Sequence, residues 1–186
     1  MLLEIIAAAL VLTNIILVAL RSLWNYLFAL LAVFVYAYIF FDAKLYSDAG
    51  LQLFFFAVNL YGWWAWSRNK SDSGAIIVER LTVSGMTLWV LGSIIATLGW
   101  GTMMARLTDA SYPYWDAAVA MLSVAAQILM TRRYIENWHW WIFVNAISIP
   151  LYLKKDLLLT AAIYALLLAT AIWGLVQWRR AAKTAT

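Results

Sequence analysis

Uncharged runs of helix length dominate the chain, and charged residues or short polar turns separate them. A helix needs about 17–25 apolar residues to cross the hydrocarbon core of a bilayer. The runs close to this length are 5–20, 22–41, 49–67, 81–105, 114–131, 137–153 and 157–178. The pattern therefore predicts an all-α membrane protein with seven transmembrane helices.

Two polar stretches punctuate the pattern. Residues 68–80 contain Gly74 with neighbouring Ser and Asp residues, which is typical of a loop. Residues 106–113 form a second predicted loop, and Pro113 suits the first turn of the following helix. Tryptophans near span ends are typical of interfacial anchors. We expect this role for Trp24, Trp66, Trp115 and Trp178.

The chain also repeats itself. A shift of 114 residues pairs Trp24 with Trp138, Tyr38 with Tyr152 and Asp42 with Asp156. A shift of 112 then pairs Gly62 with Gly174 and Trp66 with Trp178. Spans 1–3 thus resemble spans 5–7, and span 4 restores a parallel orientation. We predict 3+1+3 parallel repeats, a transporter architecture with its substrate site near the midplane.

The repeats and the charges together define domains and orientation. The predicted parts are a first three-helix repeat (1–67), a cytoplasmic loop and linker helix (68–106), a second repeat (107–178) and a cytoplasmic tail (179–186). Nine of the 13 Lys and Arg residues fall on one side of the membrane, which should be cytoplasmic. This predicts an N-terminus outside and a C-terminus inside.

Composition excludes several classes of protein. The chain is 66% hydrophobic and 12% charged, whereas soluble domains carry about 25% charged residues. With no Cys and one His, Cys-based or multi-His metal sites are excluded. The basic residues sit at span ends, so we predict the lipid bilayer as partner, and no nucleic acid, metal or cofactor. The first run lacks a basic leader and a small-residue cleavage site, and we expect it to be retained.

The sixth span carries an ordered polar and aromatic stripe. At about 100° per residue, five side chains fall within about 80° of arc on one helix face. They are Trp138, Trp141, Asn145, Ser148 and Tyr152. A buried amide inside an apolar span is costly unless it has a partner. Either another helix or a ligand therefore satisfies Asn145.

The third span offers a similar face. Four side chains lie within about 60° of arc: Gln52, Asn59, Trp63 and Trp66. Asn59 is at the midpoint of this span. Gln127 lies one turn from the end of the fifth span. Amides can hydrogen-bond a ligand, and Trp rings can stack on one. The same groups can instead tie helices together.

Charges are missing from the centre of every span. Proton relays and ion-coupled carriers need such groups, whereas aromatic faces alone can hold a cation. The sequence therefore favours a non-enzymatic, uncoupled carrier of a neutral or cationic aromatic molecule, with a non-transporting receptor or scaffold as the alternative. Pro150 interrupts the sixth span and predicts either a static kink or a hinge.

The motif W-x-x-W-x-x-x-N, formed by Trp138, Trp141 and Asn145, resembles the PnuC nicotinamide riboside transporters. The stretch 59–66, NLYGWWAW, also looks like the third core span of that family. The resemblance implies a fold similar to a full-length SWEET transporter. It also implies facilitated diffusion of nicotinamide riboside through the inner membrane of a bacterium, with trapping by cytoplasmic phosphorylation.

The resemblance assigns substrate binding to Trp138, Trp141 and Asn145. Helix geometry and the general location of the family's site add Gln52, Asn59, Trp63, Gln127, Ser148 and Tyr152. Related transporters carry thiamine or riboflavin, and an Asn in place of the first Trp of the motif marks the thiamine group. Trp138 therefore favours nicotinamide riboside. The sequence leaves a homo-oligomer open.

Overall fold

The computed structural model describes residues 2–42, 46–70, 76–109, 111–154, 156 and 158–184. The described residues form seven α-helices: α1 (Leu2–Ala19), α2 (Asn25–Asp42), α3 (Tyr46–Arg68), α4 (Val83–Leu107), α5 (Pro113–Thr131), α6 (Asn137–Lys154) and α7 (Leu158–Thr184). All seven predicted helices are confirmed. Loop residues 71–75, and Lys44 and Lys155 from the charge count, lie outside the described residues.

The helices differ in how well they suit a bilayer. Among the described residues, three stretches are long and apolar enough to cross one: Val83–Leu107, Pro113–Thr131 and Thr160–Ala182. Ile5–Ala19 and Asn25–Ile39 are shorter apolar helices. The two helices outside both groups are α3 and α6, which carry Asn59 and Asn145. The hydropathy of α3 and α6 is lower because these two helices carry the polar and aromatic residues predicted to bind substrate.

The helix ends follow local chemistry. Thr82 caps α4 because its hydroxyl accepts a hydrogen bond from the Gly85 amide at 3.1 Å. Pro113 is the first residue of α5, as predicted. The last helix, α7, extends beyond the apolar run 157–178 and ends at Thr184. Residues 179–182 are two Arg and two Ala, which are strong helix formers.

The chain divides into two compact units. Unit 1 contains residues 1–78, 131–133 and 176–186, and unit 2 contains residues 79–130 and 134–175. In unit 1, α1 packs on α2 and α2 packs on α3. The core of unit 2 includes Ala125, Ala126, Leu129 and Trp140.

Two tryptophans expected as interfacial anchors are instead buried in unit 1. Trp66 and Trp178 are fully buried, with ring centroids 5.7 Å apart. The Trp178 indole N–H also donates to the Val18 carbonyl at 3.0 Å. The anchor prediction is therefore wrong for both residues, because each indole packs within the protein. Trp24 is 66% exposed, as an anchor would be.

Candidate functional site

The start of α6 is held by a tight turn. Arg133 adopts a left-handed conformation with φ 63°, and the Tyr134 amide donates back to the Leu129 carbonyl at 3.0 Å. This bond is that of a Schellman helix ending, here built on Arg rather than Gly. The Asn137 side-chain amide donates to the Tyr134 carbonyl at 2.6 Å. These bonds fix where α6 begins, and hence the register of its side chains.

The same turn precedes α2, 112 residues earlier. Arg21 has φ 57°, and the Ser22 amide donates to the Leu17 carbonyl at 2.9 Å. The Asn25 side chain donates to the Ser22 carbonyl at 2.6 Å. The constant offset of 112 shows that pairing Trp24 with Trp138 at 114 is wrong. The residue equivalent to Trp138 is Tyr26.

Trp138 lies against a glycine of α7. The ring is 2% exposed, and a Cβ added to Gly174 would lie only 2.4 Å from its nearest ring atom. Tyr26 relates in the same way to Gly62, where a Cβ would lie 2.6 Å from the phenol ring. Each glycine therefore permits a close approach that any larger residue would block.

The middle of α6 combines an aromatic ring with a buried amide. Trp141 is half-buried and packs against the core cluster of Ala125, Ala126, Leu129 and Trp140. One turn later, the Asn145 side chain is 4% exposed. Among the described residues, none forms a hydrogen bond with its side-chain amide. Asn145 is thus a largely buried donor and acceptor that can hydrogen-bond a ligand.

The remaining predicted residues of unit 2 lie on α6 and α5. Ser148 is fully buried, and its hydroxyl donates to the Val144 carbonyl at 2.8 Å. The Tyr152 ring stacks on Tyr164 of α7, with centroids 5.0 Å apart and an interplanar angle of 26°. Gln127 is 8% exposed on α5. One face of α6 therefore carries Trp141, Asn145, Ser148 and Tyr152 together, as the helical spacing predicts.

The three predicted residues of unit 1 lie on α3. Asn59 is 4% exposed and donates through its side-chain amide to the Phe55 carbonyl at 2.8 Å. Gln52 is 9% exposed, whereas Trp63 is 38% exposed. Burial of the two amides suits a role in binding or in packing. The participation of all three in a substrate site stays a prediction.

Sequence reasoning missed two contacts between an aromatic ring and a glycine: Trp138 with Gly174, and Tyr26 with Gly62. In the sequence, Gly174 is identifiable only as the residue that repeats Gly62. Its lack of a side chain is what allows the Trp138 ring to pack against α7. Extending the 112-residue offset from Gly62 and Gly174 to the preceding helices would have paired Tyr26 with Trp138. Trp140 of α6 has a structural role, because it is buried and its indole donates to Ser93 Oγ at 3.2 Å.

Comparison with known proteins identifies the family of the chain. A family profile described as "Nicotinamide mononucleotide transporter" matches residues 1–180. The nicotinamide riboside transporter PnuC of Escherichia coli is 32% identical over 90% of this chain and 80% of its own length. The riboflavin/roseoflavin transporter RibM of Streptomyces davaonensis is 29% identical over 85% of this chain and 75% of its own length.

A solved structure is also similar. The crystal structure of the vitamin B3 transporter PnuC superposes with a TM-score of 0.77 and 27% identity, covering 99% of this chain and 83% of that one. The match extends over all seven helices described above. The chain therefore belongs to the nicotinamide mononucleotide transporter family and is a multi-pass inner-membrane transporter of the PnuC type, not an enzyme.

Proposed function

We propose that this protein carries nicotinamide riboside into the cell as a uniporter, by facilitated diffusion, with cytoplasmic phosphorylation trapping the product. The observation that carries the proposal is Asn145, a buried amide without a hydrogen bond from the described residues, one turn from the half-buried ring of Trp141. A ligand with a flat ring and hydrogen-bonding groups would satisfy both. Nicotinamide riboside has this chemistry, and relatives named for its transport are 32% identical.

Each side chain has a distinct role in this proposal. The nicotinamide ring stacks on Trp141, whose π-face also attracts the positive charge of the pyridinium. The carboxamide or the ribose hydroxyls hydrogen-bond Asn145, with Asn59 and Gln127 as further amide partners. Trp138 fixes the end of the stripe and sets specificity. Gln52, Trp63, Ser148 and Tyr152 complete the proposed set.

The charge pattern favours the riboside over the mononucleotide. A phosphate carried through a membrane needs a cationic partner, because an unpaired charge in a low-dielectric environment is costly. No Lys or Arg lies near the centre of a span in this sequence. The same absence of central Asp and Glu residues favours transport that does not depend on proton or sodium gradients.

The proposal includes the architecture and orientation inferred from the sequence. Two parallel three-helix repeats, 1–67 and 107–178, rock against each other around the linker region 68–106 and expose the site alternately. The N-terminus is outside and the C-terminal tail (179–186) is inside, as the excess of basic residues favours. Assembly into a homo-oligomer is compatible with this cycle and is not required by it.

The test is a binding screen of the purified protein against nicotinamide riboside, nicotinamide mononucleotide, thiamine and riboflavin. We expect nicotinamide riboside to bind most tightly. Counterflow of labelled substrate in proteoliposomes should follow, without a requirement for a proton or sodium gradient. Binding without counterflow would indicate a receptor or scaffold, and accumulation driven by a gradient would overturn the uniporter assignment.

Riboflavin is the second candidate, because RibM is 29% identical over 85% of the chain. Its isoalloxazine ring is flat but uncharged, whereas the pyridinium of nicotinamide riboside is positively charged. Binding of an uncharged analogue of nicotinamide riboside therefore discriminates between the two substrates: a site for nicotinamide riboside should bind the analogue more weakly, and a site for riboflavin should not require the charge. If riboflavin binds more tightly than nicotinamide riboside, the substrate assignment is wrong. Preference for thiamine would overturn it as well.

A further inference from the structure

Trp115 of α5 reaches across to α6 close to Pro150. Its indole N–H donates to the carbonyl oxygen of Ile147 at 2.9 Å. The Trp115 side chain is half-buried, and its amide is fixed at the start of α5 by a 3.1 Å bond to the Tyr112 carbonyl. It was expected to be an interfacial anchor, but the hydrogen bond gives the indole a defined partner within unit 2.

The partner carbonyl is next in sequence to the one that Pro150 leaves without its helical donor. Pro150 has no N–H, so it cannot donate to the carbonyl four residues earlier, and its ring crowds that carbonyl. Ile147 lies in the turn between Ala146 and Pro150. Helices bend where proline removes such a bond. Trp115 thus adds a donor from outside the helix at Ile147, one residue after the Ala146 carbonyl that Pro150 leaves without a helical donor.

The same indole also contacts α6 beyond the proline. The Lys154 ammonium lies 5.2 Å from the Trp115 ring centroid and 6.0 Å from that of Tyr112. Tyr112 packs edge-on against Trp115, with centroids 6.2 Å apart. Because Ile147 precedes Pro150 and Lys154 follows it, the Trp115 side chain contacts α6 on both sides of the proline.

We propose that Trp115 acts as a splint, a side chain that braces α6 across Pro150, and is thereby a positioning residue for transport. The arm before Pro150 carries Trp141 and Asn145, and the arm after it carries Tyr152. Fixing the angle between the arms fixes the distance between these substrate-binding groups. This inference rests on the proposed function for its transport readout, while its structural readout is independent of any substrate.

The structural test measures the angle directly. The chain has no Cys, so labels at Phe143→Cys and Leu153→Cys, two exposed positions flanking Pro150, are unique. Ten residues of straight helix separate them by about 15 Å, a distance that dipolar broadening of spin labels resolves. We expect a narrow distribution of label distances in the parent protein. Trp115→Phe, which keeps an aromatic ring but loses the indole N–H, should give a broad or shifted distribution.

Pro150→Ala provides the internal control. Restoring the missing donor should straighten α6, so adding Trp115→Phe to Pro150→Ala should leave the distribution narrow. Trp100→Phe removes a 43% exposed indole from α4 of the same unit and should change nothing. A Trp115→Phe distribution as narrow as the parent's, or an equal effect with and without Pro150, would overturn the splint.

The transport readout separates positioning from general damage. Loss of one hydrogen bond predicts a KM for uptake raised about three- to tenfold in Trp115→Phe, with folded yield unchanged. Lys154→Gln should raise it less, because only the cation–π contact is lost. If the wild-type protein fails to bind nicotinamide riboside, the proposed function is wrong. The distances between the labels still test whether Trp115 braces α6 across Pro150. An unchanged KM with altered distances would refute the positioning role.

Discussion

The two helix corners at the starts of α2 and α6 have the same framework and carry different chemistry. Both follow a left-handed Arg, both begin with a fully buried Asn, and both pack an aromatic ring against a glycine. In α2, which follows the first corner, two buried positions are apolar: Ala29 and Val33 are each 8% exposed. Their equivalents at an offset of 112 are Trp141 and Asn145.

This difference separates scaffold from function. Features present in both corners have a structural role, because each serves the turn before a helix or the close approach of two helices. Features present only in the second corner are not needed for that purpose, since the first corner is built without them. Trp141 and Asn145 are therefore candidates for a role other than folding, and substitutions can test this directly.

Making the second corner resemble the first should have the largest effect. Trp141→Ala with Asn145→Val installs the residues of Ala29 and Val33, and we expect affinity for nicotinamide riboside to fall about a hundredfold or more. Isothermal titration of the purified variant measures this loss.

Folding should survive the same double substitution. Removal of the Asn145 amide eliminates a largely buried polar group that has no hydrogen bond from the described residues, which offsets part of the packing lost with the Trp141 ring. Helical content and the elution volume of the purified protein serve as controls. Parent-like affinity in the folded variant would rule out this site.

Much of this comparison could be predicted from the sequence. Apolar runs between charges predicted all seven helices, and helical spacing predicted the stripe on α6, because both depend on local periodicity. The roles of Trp66, Trp178 and Trp115 could not be predicted in this way. A Trp near a span end can face lipid or pack inward, and only its tertiary partners, such as the Val18 and Ile147 carbonyls, decide which.

The two glycines offer a test of intermediate size. Gly174→Ala would place a Cβ 2.4 Å from the Trp138 ring, and Gly62→Ala would place one 2.6 Å from the Tyr26 ring. Both rings are buried and have little room to move, so each change should destabilise the protein by about 1–3 kcal/mol. Thermal unfolding in detergent measures this.

Binding should distinguish the two glycine variants. Displacement of Trp138 disturbs the α6 stripe, so Gly174→Ala should also weaken affinity for nicotinamide riboside. Gly62→Ala should weaken affinity less, because it displaces Tyr26, which is not a proposed substrate contact, and affects the proposed α3 contacts Asn59 and Trp63 only indirectly. Equal losses of affinity in both variants would mean that the second corner has no special role in binding.

The smallest expected difference lies in the two left-handed arginines. Glycine adopts this conformation without the cost of about 1 kcal/mol that a side chain incurs. Arg21 is partly exposed and donates to the Ile76 carbonyl at 3.2 Å, whereas Arg133 is 7% exposed and donates to Ile77 at 3.0 Å. Relief of backbone strain should nearly balance the lost bond in Arg21→Gly, leaving stability within about 0.5 kcal/mol of the parent.

Arg133→Gly should instead lose about 1 kcal/mol, because a buried bond from a charged donor is worth more than the strain that is relieved. Arg21→Ala and Arg133→Ala lose the same bonds without relief of strain, so each should be about 1 kcal/mol less stable than its Gly counterpart. Thermal unfolding of the four variants gives both differences. If Gly and Ala proved equal at both positions, the strain would be absent. If Arg21→Gly cost as much as Arg133→Gly, burial would not be what separates the two corners.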